Sequence, residues 1–173
     1  ASYAAGGAIN VNLPGNELNI LNNTIINNQS ISSGVQQSRG GGIHKDSGSI
    51  NVINSIIRDN NADWNPNLSF SDNVDFSNIE MLDNWSNTGI GNIDADPMFC
   101  NVDSSDYTLQ NVSPCLGTGF NGADMGAFGL GCLEYYAGPI WYVSVDGSDS
   151  LNSGNQSGPF ATVQKGISSA AMG

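Results

Sequence analysis

Residues 18–29 read LNILNNTIINNQ and residues 50–61 read INVINSIIRDNN. Laid over one another they match apolar on apolar and Asn on Asn. Leu18 meets Ile50, Asn19 meets Asn51, Ile20 meets Val52, Leu21 meets Ile53 and Asn22 meets Asn54, at a constant offset of 32 residues. Upstream, GGAI (6–9) matches GGGI (40–43) at an offset of 34, so the second copy lacks two residues of the loop that reads NLPGNE in the first. Self-similarity at a fixed period of this length marks a chain that coils, one copy per turn. Within each copy β-branched residues alternate (Ile20, Ile50, Val52). Such strands are too short to bury a face alone and must stack on the same strand of the next copy. Asn22 and Asn54 fall at equivalent positions beside a bend. Stacked copies would set one above the other, each side-chain amide bonded to its neighbour in an Asn ladder; the alternative is a pair of exposed turn formers.

The composition fits many short strands joined by tight turns. The 173 residues include 22 Gly and 24 Asn, and only 12% are charged. Asn and Gly favour turns and left-handed backbone, where a helical protein would be rich in Ala, Leu, Glu and Lys. Four Lys plus Arg stand against sixteen Asp plus Glu, for a formal net charge of -12. Phosphate recognition needs clustered cations, so nucleic acid and anionic membranes are not expected partners, and a charged partner should be a cation. No apolar run approaches the roughly 18 to 20 residues of a membrane-spanning helix, so no membrane insertion is expected.

Several stretches carry a family likeness. GGGIHKDSGSINVINSIIRDN (40–60), GNIDADPMF (91–99), DYTLQNVSPCLGTG (106–119) and DMGAFG (124–129) resemble the closing coils of right-handed parallel β-helix proteins of the pectin-lyase-like superfamily. WYVSVDGSDSLNSGNQSGPFATVQKGISSAA (141–171) resembles their opening segment: a strand, a Gly/Ser/Asn turn and a short helix that plugs the first coil. The resemblance implies an all-β chain, a right-handed parallel β-helix (solenoid) with a short capping helix near the C-terminus. Residues 1–131 would be the C-terminal coils of one β-helix, 132–140 a linker, and 141–173 the N-terminal strand and cap helix of a following one. The tail agrees, since Phe160, Val163, Ile167 and Ala171 recur at helical spacing with Ser157 and Pro159 at the start. Gly166 weakens that helix by roughly 1 kcal/mol relative to Ala, so it must depend on packing. Closing coils followed by an opening cap imply a serial array or fibre, in which neighbouring β-helix domains or subunits meet head to tail.

On this picture Cys100 and Cys115 flank the strand Tyr107 to Leu109 in the last turn. A disulfide between them would close a loop of about 15 residues, worth about 3 kcal/mol in a chain-entropy estimate; the alternative is two buried thiols. Cys132 has no evident partner. A disulfide would place the chain in an oxidising compartment, secreted or on the cell surface. The Cys and His spacings of structural zinc are absent.

Many proteins of the resembled fold cleave acidic polysaccharides. A lyase of that kind needs a base, often Arg or Lys, beside an acidic Ca²⁺ site. The bases here are Arg39, Lys45, Arg58 and Lys165, each with an ordinary structural or solvated reading. The single His, His44, stands in GGGIHKDSG, and the NTD and GHG signatures of the hydrolases are missing; no catalytic residue is assigned. Asp94 and Asp96 with Asp103 and Asp106, and separately Asp146 and Asp149, offer hard oxygens for Ca²⁺, the one candidate cofactor. Asx turns account for the same residues. Trp64, Trp85 and Trp141 lie in or beside irregular segments, where a ring either stacks on a sugar or shields core. The expected function is a non-catalytic extracellular structural or adhesive β-helix module. The competing readings are a polysaccharide lyase or glycoside hydrolase acting on acidic glycans, and a polysaccharide-binding module.

Overall fold

A computed structural model describes residues 4–33, 37–70, 73–80, 89–132 and 140–170. Along the chain run β1 (Ile9–Leu21), β2 (Thr24–Ile26), β3 (Ile43–Ile53), β4 (Ile56–Arg58), β5 (Leu68–Ser69), β6 (Asn73–Asp75), β7 (Asn78–Ile79), β8 (Phe99–Asn101), β9 (Asp106–Gln110), β10 (Leu130–Cys132) and a helix, α1 (Val163–Ala170). They divide into two compact units, Ala1–Met98 with Ser113–Gly129, and Phe99–Val112 with Leu130–Gly173. Among the described residues no helix is long and apolar enough to cross a membrane.

The first unit is organised by the repeat. β1 and β3 pair in parallel with Leu18 opposite Ile50, Asn19 opposite Asn51 and Ile20 opposite Val52; the two-residue difference in the NLPGNE loop is absorbed as register shifts between Val11 and Glu17. β2 pairs with β4 in the same sense, Ile25 opposite Ile57. Ile20, Ile25, Ile50, Val52, Ile57, Val74 and Ile79 bury their side chains in one cluster, because alternate residues of a strand face the same side. Asn22 and Asn54 close β1 and β3 with left-handed backbone at φ 54° and 52°, a conformation Asn tolerates at less cost than most side chains.

The expected right-handed parallel β-helix of the pectin-lyase-like superfamily is overturned by the sheets themselves. The described strands form three small separate sheets, β1-β3-β5 with β6 also on β3, β2-β4-β7, and β10-β9-β8, and no continuous solenoid runs through them. The spacing between stacked residues is 32 from Asn19 to Asn51 but 22 from Ser55 to Ser77. The third level adds only strands of two or three residues to these ladders. Residues 99–110 then double back, with β8 antiparallel to β9, instead of adding another turn. The chain is β-rich with one short helix near its C-terminus.

In the second unit β9 lies between β8 and β10. The tail folds around Phe160, which is buried, bridges Val143 and stacks on Trp141 at 5.9 Å. α1 begins later than Ser157 and Pro159 suggest. Its entry is held by Asp149, whose carboxylate accepts from the Ala161 and Thr162 amides at 2.8 and 3.0 Å and from the Thr162 hydroxyl at 2.6 Å. Thr162 in turn accepts from the Lys165 amide, a side-chain cap. The apolar stripe expected to pack is turned outward: Val163 and Ile167 are 65% and 59% exposed, while the residue that α1 buries is Gly166. Ala171 and residues 133–139 of the expected linker lie outside the described residues.

Candidate functional site

The first unit carries a cavity of about 460 Å³ lined by Arg39, His44, Lys45, Asp46, Trp64, Asn65 and Ser69. Two rungs between adjacent levels of chain build it. Arg39 bridges Trp64, and further along the same pairing His44 of β3 lies opposite Ser69 of β5. The run Gly40 to Gly42 lets these levels approach. A Cβ at Gly41 would sit 2.3 Å from the Asn61 carbonyl oxygen, and one at Gly42 2.5 Å from that of Asn67. The Arg39–Trp64 rung is locked by its neighbours: the Ser38 amide and hydroxyl both donate to the Asp63 carboxylate, at 2.7 and 2.9 Å, and the Asp63 amide donates back to the Ser38 hydroxyl. The Ser38 amide, then its hydroxyl, hold the Asp63 carboxyl below its ordinary pKa, since hydrogen bonds to the charged form favour it.

His44 is the buried centre of the site, 4% exposed. Its Nδ1 is in hydrogen-bond contact with the Ser69 hydroxyl, and its Nε2 lies 3.2 Å from Asp46 Oδ1. One tautomer satisfies both: Nε2–H donates to Asp46, and the Nδ1 lone pair accepts from the Ser69 O–H. Trp64 is 49% exposed beside this group, with Arg39 exposed and Lys45 half-buried on the same lining.

The other candidate residues are placed differently. The disulfide joins Cys100 to Cys132, with Cα atoms 5.9 Å apart, and not Cys100 to Cys115. Cys100 and Cys132 sit on β8 and β10, the two strands that pair with β9. Cys115 belongs to the first unit, where it is a free, fully buried thiol accepting from Asn78 Nδ2 at 3.1 Å. Burial pushes its pKa up.

The Asn22–Asn54 ladder is not formed. The left-handed backbone turns both amides onto the segment 113–129: Asn22 Nδ2 donates to the Asp124 carbonyl, and Asn54 Oδ1 accepts from the Phe120 amide. The amide stack runs elsewhere, from Asn28 Nδ2 to Asn60 Oδ1 at 3.0 Å and from Asn60 Nδ2 to Asn67 Oδ1 at 2.9 Å. Asn28 and Asn60 stand at the same 32-residue spacing, so the signal lay in the repeat, six residues further along.

The carboxylates expected to gather around Ca²⁺ are used singly. Asp94 pairs with Arg58 at 2.7 Å, Asp96 accepts from the Met98 amide, and Asp106 accepts from Thr108. Asp103 lies in the 3₁₀ turn Val102–Ser104. Asp146 sits in a turn whose amide donates to Ser144, and Asp149 caps α1. Among the described residues no group of three or more His, Cys, Asp or Glu is placed to hold a metal ion. Of the tryptophans, Trp141 shields Phe160, Trp85 lies outside the described residues, and Trp64 lines the cavity. Ser69 and Asn65 were not expected from the sequence, because Ser69 reaches His44 only through the register of β3 on β5; Asp46 reaches it from two residues along β3 itself. No family profile, curated protein or solved structure matches the chain.

Proposed function

We propose that the chain is an extracellular adhesive module that binds an acidic glycan in the cavity of its first unit. The observation that carries this reading is the lining: two of the four basic side chains, Arg39 and Lys45, and the single His meet beside a half-exposed Trp. An indole face offers apolar area to a sugar ring, and a guanidinium recognises a carboxylate with two parallel hydrogen bonds. The volume falls within the roughly 300–1,000 Å³ of small-ligand sites. A net charge of -12 favours cationic partners at long range, but exposed charges are screened beyond about 8 Å at physiological ionic strength. The groups lining the cavity therefore outweigh the distant carboxylates. The Cys100–Cys132 disulfide supports a secreted or cell-surface setting, since such bonds persist in oxidising compartments.

Titration calorimetry with oligogalacturonate and with a neutral maltooligosaccharide tests the reading. Preferential binding of the acidic ligand is expected, weakened by salt and abolished by Trp64→Ala. Equal binding of both sugars, or of neither, would defeat it.

A second reading, serial assembly with neighbouring modules meeting head to tail, is favoured by the outward-facing Val163 and Ile167 of α1. Analytical ultracentrifugation should then show association that Val163→Lys with Ile167→Lys removes. A wild-type protein monomeric at high concentration argues against it.

A further inference from the structure

We infer that Ser69, His44 and Asp46 form an acyl-transfer site that removes ester groups from the bound glycan. The substrate class rests on the binding reading above, whereas the catalytic group stands on its own geometry. A serine hydroxyl is a weak nucleophile until an adjacent base takes its proton, and the base must be held in one tautomer by a third group. All three requirements meet here. Ser69 contacts His44 Nδ1, Asp46 lies at Nε2, and one tautomer serves both bonds. Such a constellation is recognised by geometry and roles, not by order along the chain. Its nitrogens are used in the reverse sense, Nδ1 toward the nucleophile, which leaves the proton path intact.

The group also opens onto space for a substrate. Ser69 and His44 line the same cavity as Trp64, Arg39 and Lys45, so a carbonyl at Ser69 has cationic donors on the surrounding wall for the charge its oxygen develops. In the first step Ser69 Oγ attacks the ester carbonyl while its proton passes to His44 Nδ1. The C–O bond to the sugar then breaks, and His44 returns that proton to the departing sugar hydroxyl. Water next adds to the acyl-serine, giving its proton to His44, and the free acid leaves as Ser69 recovers its proton. Cleavage of the glycosidic bond is disfavoured by the same lining. That reaction takes two carboxylates across the scissile bond, and Asp46, the one carboxylate among the lining residues, faces His44.

The test uses the intact chain. Diisopropyl fluorophosphate should phosphorylate Ser69 with loss of fluoride, localised by peptide mass spectrometry. p-Nitrophenyl acetate and acetylated polygalacturonate should both release acetate. Ser69→Ala and His44→Gln are each expected to lower turnover at least 100-fold, within the range of a lost general base. Ser69→Thr keeps a hydroxyl at His44 Nδ1 and should still lose turnover, its added methyl crowding the attack. Asp46 is a positioning residue: Asp46→Asn should lower kcat with KM unchanged, and Asp46→Glu should recover part of it. Wild-type protein with no adduct on Ser69 and hydrolysis at the buffer rate overturns the inference, as does turnover that survives Ser69→Ala. Oligogalacturonate binding without acyl transfer overturns this inference and leaves the binding reading standing. Acyl transfer from the small ester without glycan binding upholds the catalytic group and overturns the proposed ligand.

Discussion

Replacing Cys100 and Cys132 together by Ser removes the disulfide and leaves Cys115 no partner to recruit. The two half-cystines are 32 residues apart, and in the chain-entropy account a loop of that length contributes about 3.7 kcal/mol at 25 °C. A loop from Cys100 to Cys115 would contribute about 3 kcal/mol on the same scale, so the size of the loss cannot tell the pairings apart. What separates them is which cysteine matters and where the loss is felt. With a urea slope of about 1 kcal/mol/M, typical of a small cooperative unit, the double variant should lose roughly 3–4 M of midpoint. Hydrogen exchange read by mass spectrometry should show the protection of β8, β9 and β10 falling first. Cys115→Ser changes a buried thiol for a hydroxyl that Asn78 can still reach, at a cost of about 1 kcal/mol, and it should leave β9 protected. If Cys115→Ser strips protection from residues 99–110 as strongly as the double variant, or if non-reducing peptide mapping joins Cys100 to Cys115, the pairing is wrong.

Asn60→Ala should destabilise the first unit by about 3 kcal/mol or more, because Asn28, Ile25 and Asn67 all lose a buried partner. The half-buried Asn51→Ala, which breaks one solvent-accessible amide contact to Asn19, should cost under about 0.5 kcal/mol; urea midpoints of the two variants decide. Cys115, desolvated and with a raised pKa, should resist thiol reagents in the native protein and yield one titratable thiol on denaturation without reductant. The carboxyl of Asp149 is held below its ordinary pKa by the Thr162 hydroxyl first and by the Thr162 and Ala161 amides. A folded-state value below the unfolded one means that the cap contributes fully above the ordinary carboxylate pKa of about 3.9 and is lost as pH falls through the lowered value. Circular dichroism should therefore show α1 intact at pH 5 and fraying below about pH 4, a transition missing in Asp149→Asn.

Where residues repeat, the fold was legible. The match of Leu18, Asn19 and Ile20 to Ile50, Asn51 and Val52 is reproduced rung by rung in the β1–β3 ladder, because a parallel ladder stacks like on like and the sequence carries both copies. Beyond residue 61 no second copy exists to compare. Residues 68–79 enter the same ladders as fragments of two or three residues, and turn chemistry rather than periodicity decides where each begins. The helix stripe failed for a related reason: Phe160, Val163 and Ile167 share a spacing, but Phe160 is fixed by its bridge to Val143 outside α1, so the stripe is not a single face. Closeness in sequence to Tyr107–Leu109 points to Cys115 as the partner of Cys100, but it is β10, returning after residue 129, that brings Cys132 to β8.

The site divides in the same way, and the division explains what each part does. Arg39, His44 and Lys45 stand in one stretch that reads RGGGIHK, which shows that three basic-type side chains share a turn but not that they face a cavity. Trp64 and Ser69 come from the level below, where no repeat predicts register. They meet the first group only because Gly41 and Gly42 admit the Asn61 and Asn67 carbonyls to distances that any Cβ would block. Gly41 and Gly42, in the stretch that resembles a family signature, thus have a nearer cause. They close two levels of backbone tightly enough for His44 to reach Ser69 across the gap. An alanine at Gly42 would push Asn67 and, two residues on, Ser69 away from the imidazole, so the cavity and the hydrogen-bonded group at its wall should be lost together.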